Sequence, residues 1–153
     1  MGTEEEQRII RVALEKDLAG IFQLDQCTFV DKWSETTWRQ ELNSTLGYYL
    51  VLEEDKAVVG FAGFWLVAGE AQVTKVAVAK LLRGQGLGKL LTGELVHKAQ
   101  QLGATGINLE VRAGNISAQR VYTHTGFKVV GVRPHYYLDN KEDAVIMARN
   151  FDR

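Results

Sequence analysis

The residues best placed to do chemistry lie between Lys75 and Lys89. The apolar run Val76-Ala77-Val78 is followed by Arg83-Gly84-Gln85-Gly86-Leu87-Gly88-Lys89, and a leucine-rich stretch begins there. This reads as a strand end, a glycine-rich turn and the first turn of a helix. A helix N-terminus carries unpaired N–H groups and partial positive charge, so it attracts phosphate. Glycines let a large anion approach those N–H groups and accept positive φ. Arg83 and Lys89 add cations at the two ends of the turn. The expected ligand is therefore a pyrophosphate. Two common phosphate motifs fail. A Walker A loop needs Ser or Thr after Gly-Lys, but Leu90 follows Gly88-Lys89. The dinucleotide pattern Gly-x-Gly-x-x-Gly leads from Gly84 to Lys89 and from Gly86 to Leu91. The spacing present is Arg-x-x-Gly-x-Gly, over 83–88.

The whole chain has 153 residues, 46% apolar and 24% charged, with a net charge of −1. That suits one domain over 1–153 with a sizeable core and gives no global basic field for nucleic acid. No apolar run approaches the roughly 20 residues of a membrane span. The start, Met1 to Glu6, is acidic and has no apolar signal core, so residues 1–7 read as a flexible, solvated beginning. Cys27 is alone, which excludes a disulfide framework and reads as a small core residue. His97, His124 and His135 lack ligand spacing, so no metal is expected. These features suit a cytoplasmic location.

The elements around the loop follow from hydrophobic period and turn chemistry. Residues 8–13 read as a strand. Asp17 is placed to cap a helix bearing Leu18, Ile21, Phe22 and Leu24. Ser34 is placed to cap a second helix bearing Trp38 and Leu42. Residues 48–53, 57–67 and 71–78 read as three antiparallel strands. The helix from Leu87 carries Leu90, Leu91, Leu95, Val96, Ala99 and Leu102 on one face and stops at Gly103. A strand over 106–111 then predicts a parallel, right-handed crossover. Asn115 opens a short helix with Ala118, Val121 and Tyr122, closed by Gly126. Residues 127–132 and 144–147 read as the last strands.

This order, with the 83–88 loop, resembles the GNAT N-acetyltransferase superfamily across nearly the whole chain. Leu109-Glu110-Val111-Arg112, Asn115, Val121-Tyr122 and Gly126-Phe127 resemble the second half of protein N-terminal acetyltransferases. Trp33-Ser34-Glu35, Tyr136-Tyr137 and Glu142 to Met147 are similar to the bacterial branch acting on ribosomal proteins. Lys32 departs from that branch, which commonly has proline before the Trp-Ser pair. The resemblance implies an α+β fold in three α/β/α layers, with a mixed sheet of about seven strands and about four helices. It implies acetyl-CoA as co-substrate, no metal, and an acceptor that is a protein N-terminal peptide. A small-subunit ribosomal protein with N-terminal alanine is the implied acceptor, with no direct nucleic-acid or membrane contact.

It also implies roles. Val76, Ala77 and Val78 would hold the acetyl and pantetheine portion through their main chain. Arg83, Gly84, Gln85, Gly86, Leu87 and Gly88 would hold the pyrophosphate, helped by Lys89, with Asn115 touching the cofactor from the far side. Glu110 would be the general base and Tyr122 the general acid. Trp33, Glu35, Tyr136 and Tyr137 would flank the acceptor. The chemistry suits these types. An α-amino group, pKa near ~7.7–8.0, must lose a proton before it attacks, and a carboxylate can take it. Partial burial in an apolar strand would make Glu110 a better base; pairing with Arg112 is the alternative role. A phenol is protonated at neutral pH and can donate to a departing thiolate, while packing is its alternative role. An enzyme acting on lysine or a small amine, and a non-catalytic acyl-CoA sensor, remain the competing readings.

Overall fold

The computed structural model describes residues 8–151. The acidic start over 1–7 lies outside the described residues. The elements run β1 (Arg8–Val12), α1 (Leu18–Thr28), α2 (Glu35–Asn43), β2 (Gly47–Glu54), β3 (Ala57–Val67), β4 (Glu70–Val78), α3 (Leu87–Gln101), β5 (Gly106–Arg112), α4 (Ile116–His124), β6 (Lys128–Arg133) and β7 (Ala144–Asn150). The strands form one sheet in the order β1-β2-β3-β4-β5-β7-β6. Among the described residues only β4–β5 is a parallel pair, as the crossover through α3 requires.

The core follows from alternation along the central strands. Leu50, Leu52, Ala62 and Phe64 point to the face covered by α3, where Leu87, Leu91, Leu95, Val96 and Ala99 meet them. Tyr49, Val51, Phe61 and Ala77 point to the opposite face, against Leu18, Ile21 and Trp38 of α1 and α2. The result is helix, sheet, helix in three layers. Trp38 packs edge-on against both Tyr49 and Phe61, with centroids 5.4 and 5.1 Å away. Complete burial of a side chain such as Phe61 contributes roughly 1.5–3 kcal/mol. Among the described residues no helix is long and apolar enough to cross a membrane.

Local signals explain most boundaries. The Ser34 side chain accepts from the Thr37 N–H, so it caps α2. Gly103 ends α3 at φ +81°, and Gly126 follows α4 at φ +94°. Three expectations are corrected. Asp17 stands at the start of α1 but does not cap it. Its carboxylate turns back to the Leu14 N–H at 2.7 Å and to Arg11 at 2.8 Å, because a cation outcompetes a neutral amide. Cys27 is exposed, not core, since the buried stripe of α1 runs through Leu18, Ile21 and Asp25. Leu90 and Leu102, at 51% and 43% exposure, lie outside the buried stripe of α3. Helical period alone draws that stripe wider than the sheet covers.

Candidate active site

The site begins where the sheet comes apart. β4 and β5 pair at Glu70–Gly106, Ala71–Ile107 and Gln72–Asn108. No further pair joins them among the described residues, yet β4 runs on to Val78 and β5 to Arg112. Each keeps its other neighbour: β4 stays on β3 as far as Val78, and β5 stays on β7 as far as Arg112. The main-chain groups on the parted edges thus face a cleft. Ala79 N–H donates to Val59 of β3 at 2.8 Å. Strand alternation then turns the N–H groups of Val78 and Val76 away from β3, into the cleft.

The glycine-rich turn lies at the end of this cleft. Gly84 and Gly86 adopt φ +84° and +79°, and a Cβ at either would meet nothing within 4 Å. The backbone, not crowding, demands glycine there, and the space above it is open. Gly86 is the N-cap of α3 and offers no side-chain acceptor, so the first N–H groups of α3, on Leu87, Gly88 and Lys89, have no intrahelical partner. Such a cradle fits a diphosphate. Leu87 itself is buried and anchors the helix start. Arg83 Nε donates to Val78 O at 3.1 Å and clips the turn to the strand end. The Gln85 side chain accepts from Arg8 at 3.1 Å, and Lys89 is exposed on the first turn. The Asn115 oxygen caps α4 by accepting from the Ala118 N–H. Replacing Gly86 by alanine should weaken acetyl-CoA binding about tenfold, because left-handed backbone costs an L side chain ~1–2 kcal/mol. Titration calorimetry checks this; an unchanged Kd would remove the turn from the site.

The side chains expected to react gather at the β5 end. Glu110 lies 3.7 Å from Arg133 of β6, and its side chain keeps 31% exposure. The expected burial is therefore not found, and its cationic neighbour is Arg133, not Arg112. Sheet order explains the second point: β6 lies beyond β7 and brings Arg133 to Glu110, while Arg112, on the same face of β5, turns to Asp139 at 3.1 Å, Glu142 at 3.3 Å and Asp31 at 3.6 Å. The neighbouring Glu110 carboxylate is the main cause that raises the Tyr136 hydroxyl above its ordinary range. Tyr137 stacks under the Arg112 guanidinium, 3.9 Å from its ring centre. Burial pushes the Tyr137 phenol up to about 12; Arg112 opposes the rise, and Glu110 adds to it. Tyr122 of α4 is buried against Phe127, with ring centres 5.7 Å apart. Burial also pushes Tyr122 up to about 12, and Tyr137 adds to it. Glu110, Tyr122, Tyr136 and Tyr137 thus share one electrostatic neighbourhood. The loop between β6 and β7 is tied to β5 by Ala113 N–H to Asp143 O at 3.0 Å and Gly114 N–H to Glu142 at 2.7 Å.

On the other side, Trp33 packs on Trp38 with centroids 4.7 Å apart. Glu35 pairs with Arg39 at 3.0 Å and, with Cys27, lines a groove outside α1 and α2. It is not brought to the tyrosine cluster. Sequence reasoning missed two polar contributors. Asp25 and Lys75 form a buried pair beneath Trp33, with Nζ 2.6 Å from Oδ1. The signal was present, as each ionisable residue interrupts an apolar stripe. From spacing alone Arg112 reads only as a partner for Glu110.

Comparison with known proteins places this geometry. A model of the acetyltransferase (GNAT) family matches residues 18–127. A Bacillus subtilis protein, provisionally named a ribosomal protein bS18-alanine N-acetyltransferase, is 35% identical over 86% of this chain and 88% of its own length. The Haemophilus ducreyi ribosomal protein bS18-alanine N-acetyltransferase is 32% identical over 92% of this chain and 98% of its own. The crystal structure of the Escherichia coli ribosomal-protein-S18-alanine N-acetyltransferase superposes with TM-score 0.87 at 29% identity, covering 96% of both chains. A cradle for a diphosphate at the end of a parted sheet, with that family match and those relatives, identifies this chain as a member of the acetyltransferase (GNAT) family, an acetyl-CoA-dependent N-acetyltransferase.

Proposed function

We propose that this chain acetylates the N-terminal α-amino group of a protein, a RimI-type activity on a ribosomal protein that begins with alanine. The observation that carries this is the cleft between β4 and β5, which has a diphosphate cradle at one end and Glu110 with three tyrosines at the other. The names of relatives 31–35% identical to the chain support the acceptor. Such an acceptor is met in the cytoplasm, and neither nucleic acid nor membrane takes part.

Acetyl-CoA supplies an activated acyl thioester. The N–H groups of Leu87, Gly88 and Lys89 hold its diphosphate, and those of Val76 and Val78 face the carbonyl oxygen that gains negative charge. Preorganised donors of this kind are often the largest catalytic contribution. Glu110, held between Arg133 and Tyr136, takes a proton from the α-ammonium, directly or through water. The amine nitrogen then bonds to the acyl carbon and the carbon–sulfur bond breaks. The Tyr122 hydroxyl donates a hydrogen bond to the departing sulfur, and the second proton shed by the nitrogen ends on that thiolate. Trp33, Tyr136 and Tyr137 wall the acceptor. Transfer is direct within a ternary complex and uses no side-chain nucleophile.

The test is mass spectrometry of ribosomal proteins incubated with the chain and acetyl-CoA. One acetyl group on an N-terminal alanine is expected, and a peptide with a blocked N-terminus should stay unmodified. Acetylation confined to lysines would overturn the acceptor. Acetyl-CoA binding with no acceptor-dependent release of CoA would leave a sensor.

A further inference from the structure

One buried charge has no task in acetyl transfer as described. Lys75 of β4, 7% exposed, lies one residue before the strand end that faces the cleft. Its Nζ donates to Asp25 Oδ1 at 2.6 Å and to the main-chain oxygen of Asp31 at 2.7 Å. The rings of Trp33 and Phe29 lie 4.5 and 4.8 Å from the ammonium, within cation–π range. Asp25 is wholly buried, and its other oxygen accepts from the Trp33 N–H and from Trp38 Nε1, both at 2.8 Å. Most of these bonds and rings belong to the short connection between α1 and α2.

Stability alone explains such a pair poorly. Taking both charges out of water offsets much of their attraction, and a well-packed apolar pair often serves as well. What an apolar pair cannot do is hold a carbonyl and an amide of a loop in place. This loop also reaches β5, because Asp31 lies 3.6 Å from Arg112, two residues beyond Glu110. It therefore spans the open end of the parted strands.

We propose that the Lys75–Asp25 pair is a buried latch that fixes residues 29–34 over the mouth of the cleft and so sets affinity for the incoming peptide. The pair positions and touches no reacting atom. The inference rests on the N-terminal acetyltransferase reading above.

The double variant Lys75→Met with Asp25→Asn tests it. The asparagine oxygen keeps both tryptophan donors, and no charge is left unpaired. The KM for an alanine-initiated peptide should rise about tenfold, equivalent to about 1.4 kcal/mol of lost positioning, while kcat and the acetyl-CoA Kd hold. Amide exchange over 29–34 should quicken by a similar factor. A packing role alone would lower the thermal midpoint and leave KM unmoved. Should the variant fail to fold, the unmodified chain still decides. Its Trp33 amide should exchange as slowly as the central strands, and exchange as fast as an open loop overturns the latch. Unchanged KM and exchange in the double variant overturn it alone. A wild-type chain that acetylates no such peptide overturns the acceptor reading and the latch together.

Discussion

Glu110→Gln is expected to lower kcat/KM about a hundredfold at neutral pH, within the range for a lost general base. The substitution keeps size and still offers an oxygen to Tyr136, so acetyl-CoA binding and fold should persist. What it loses is the ability to accept a proton from the acceptor. Two features place the effect at the lower end of that range. Glu110 keeps 31% exposure, so water can take part of the load. The α-amino acceptor also titrates near ~7.7–8.0, so neutral amine is already present at pH 7. The sign of the pH dependence follows. Raising the pH supplies more neutral amine without help, so the deficit should be widest at low pH and narrow toward pH values about one unit above that pKa. Steady-state rates across pH, with a calorimetric Kd for acetyl-CoA, check both parts. Turnover equal to wild type would remove Glu110 from the mechanism. Arg133, 60% exposed, loses only a solvated partner, so little stability should go with it.

Tyr122→Phe should slow kcat about tenfold to a hundredfold. A phenol pushed up to about 12 by burial stays protonated throughout the working range. Full proton transfer from so weak an acid to a thiolate of pKa near ~8.5 is uphill. The useful contribution is therefore a hydrogen bond to sulfur as its charge develops, and such charge-assisted bonds contribute about 1.5–3 kcal/mol. The same burial predicts no alkaline fall in rate from this group below about pH 10, and the variant should keep the wild-type profile at reduced height. Phenylalanine preserves the packing on Phe127, so the thermal midpoint should move only slightly. Normal rates across pH would leave Tyr122 a packing residue.

Features that depend on local backbone chemistry are legible from residue types alone. Gly84 and Gly86 adopt positive φ without steric cost, and that preference is written in the residue type. The Ser34 cap, the Gly103 stop and the alternation of the central strands are local in the same way. So was the likeness that named the superfamily, because it rests on short strings. The partner of each charged group, by contrast, emerges only from the folded arrangement. Asp17 turned from its helix to Arg11, Glu110 met Arg133 and not its strand neighbour Arg112, and Lys75 found Asp25 fifty positions earlier. A carboxylate takes the strongest donor within reach, and reach is set by sheet order and register, which join distant parts of the chain. The parting of β4 from β5 belongs to the same class: each strand keeps to its antiparallel neighbour along its length, and the gap opens where those two pairings no longer run together.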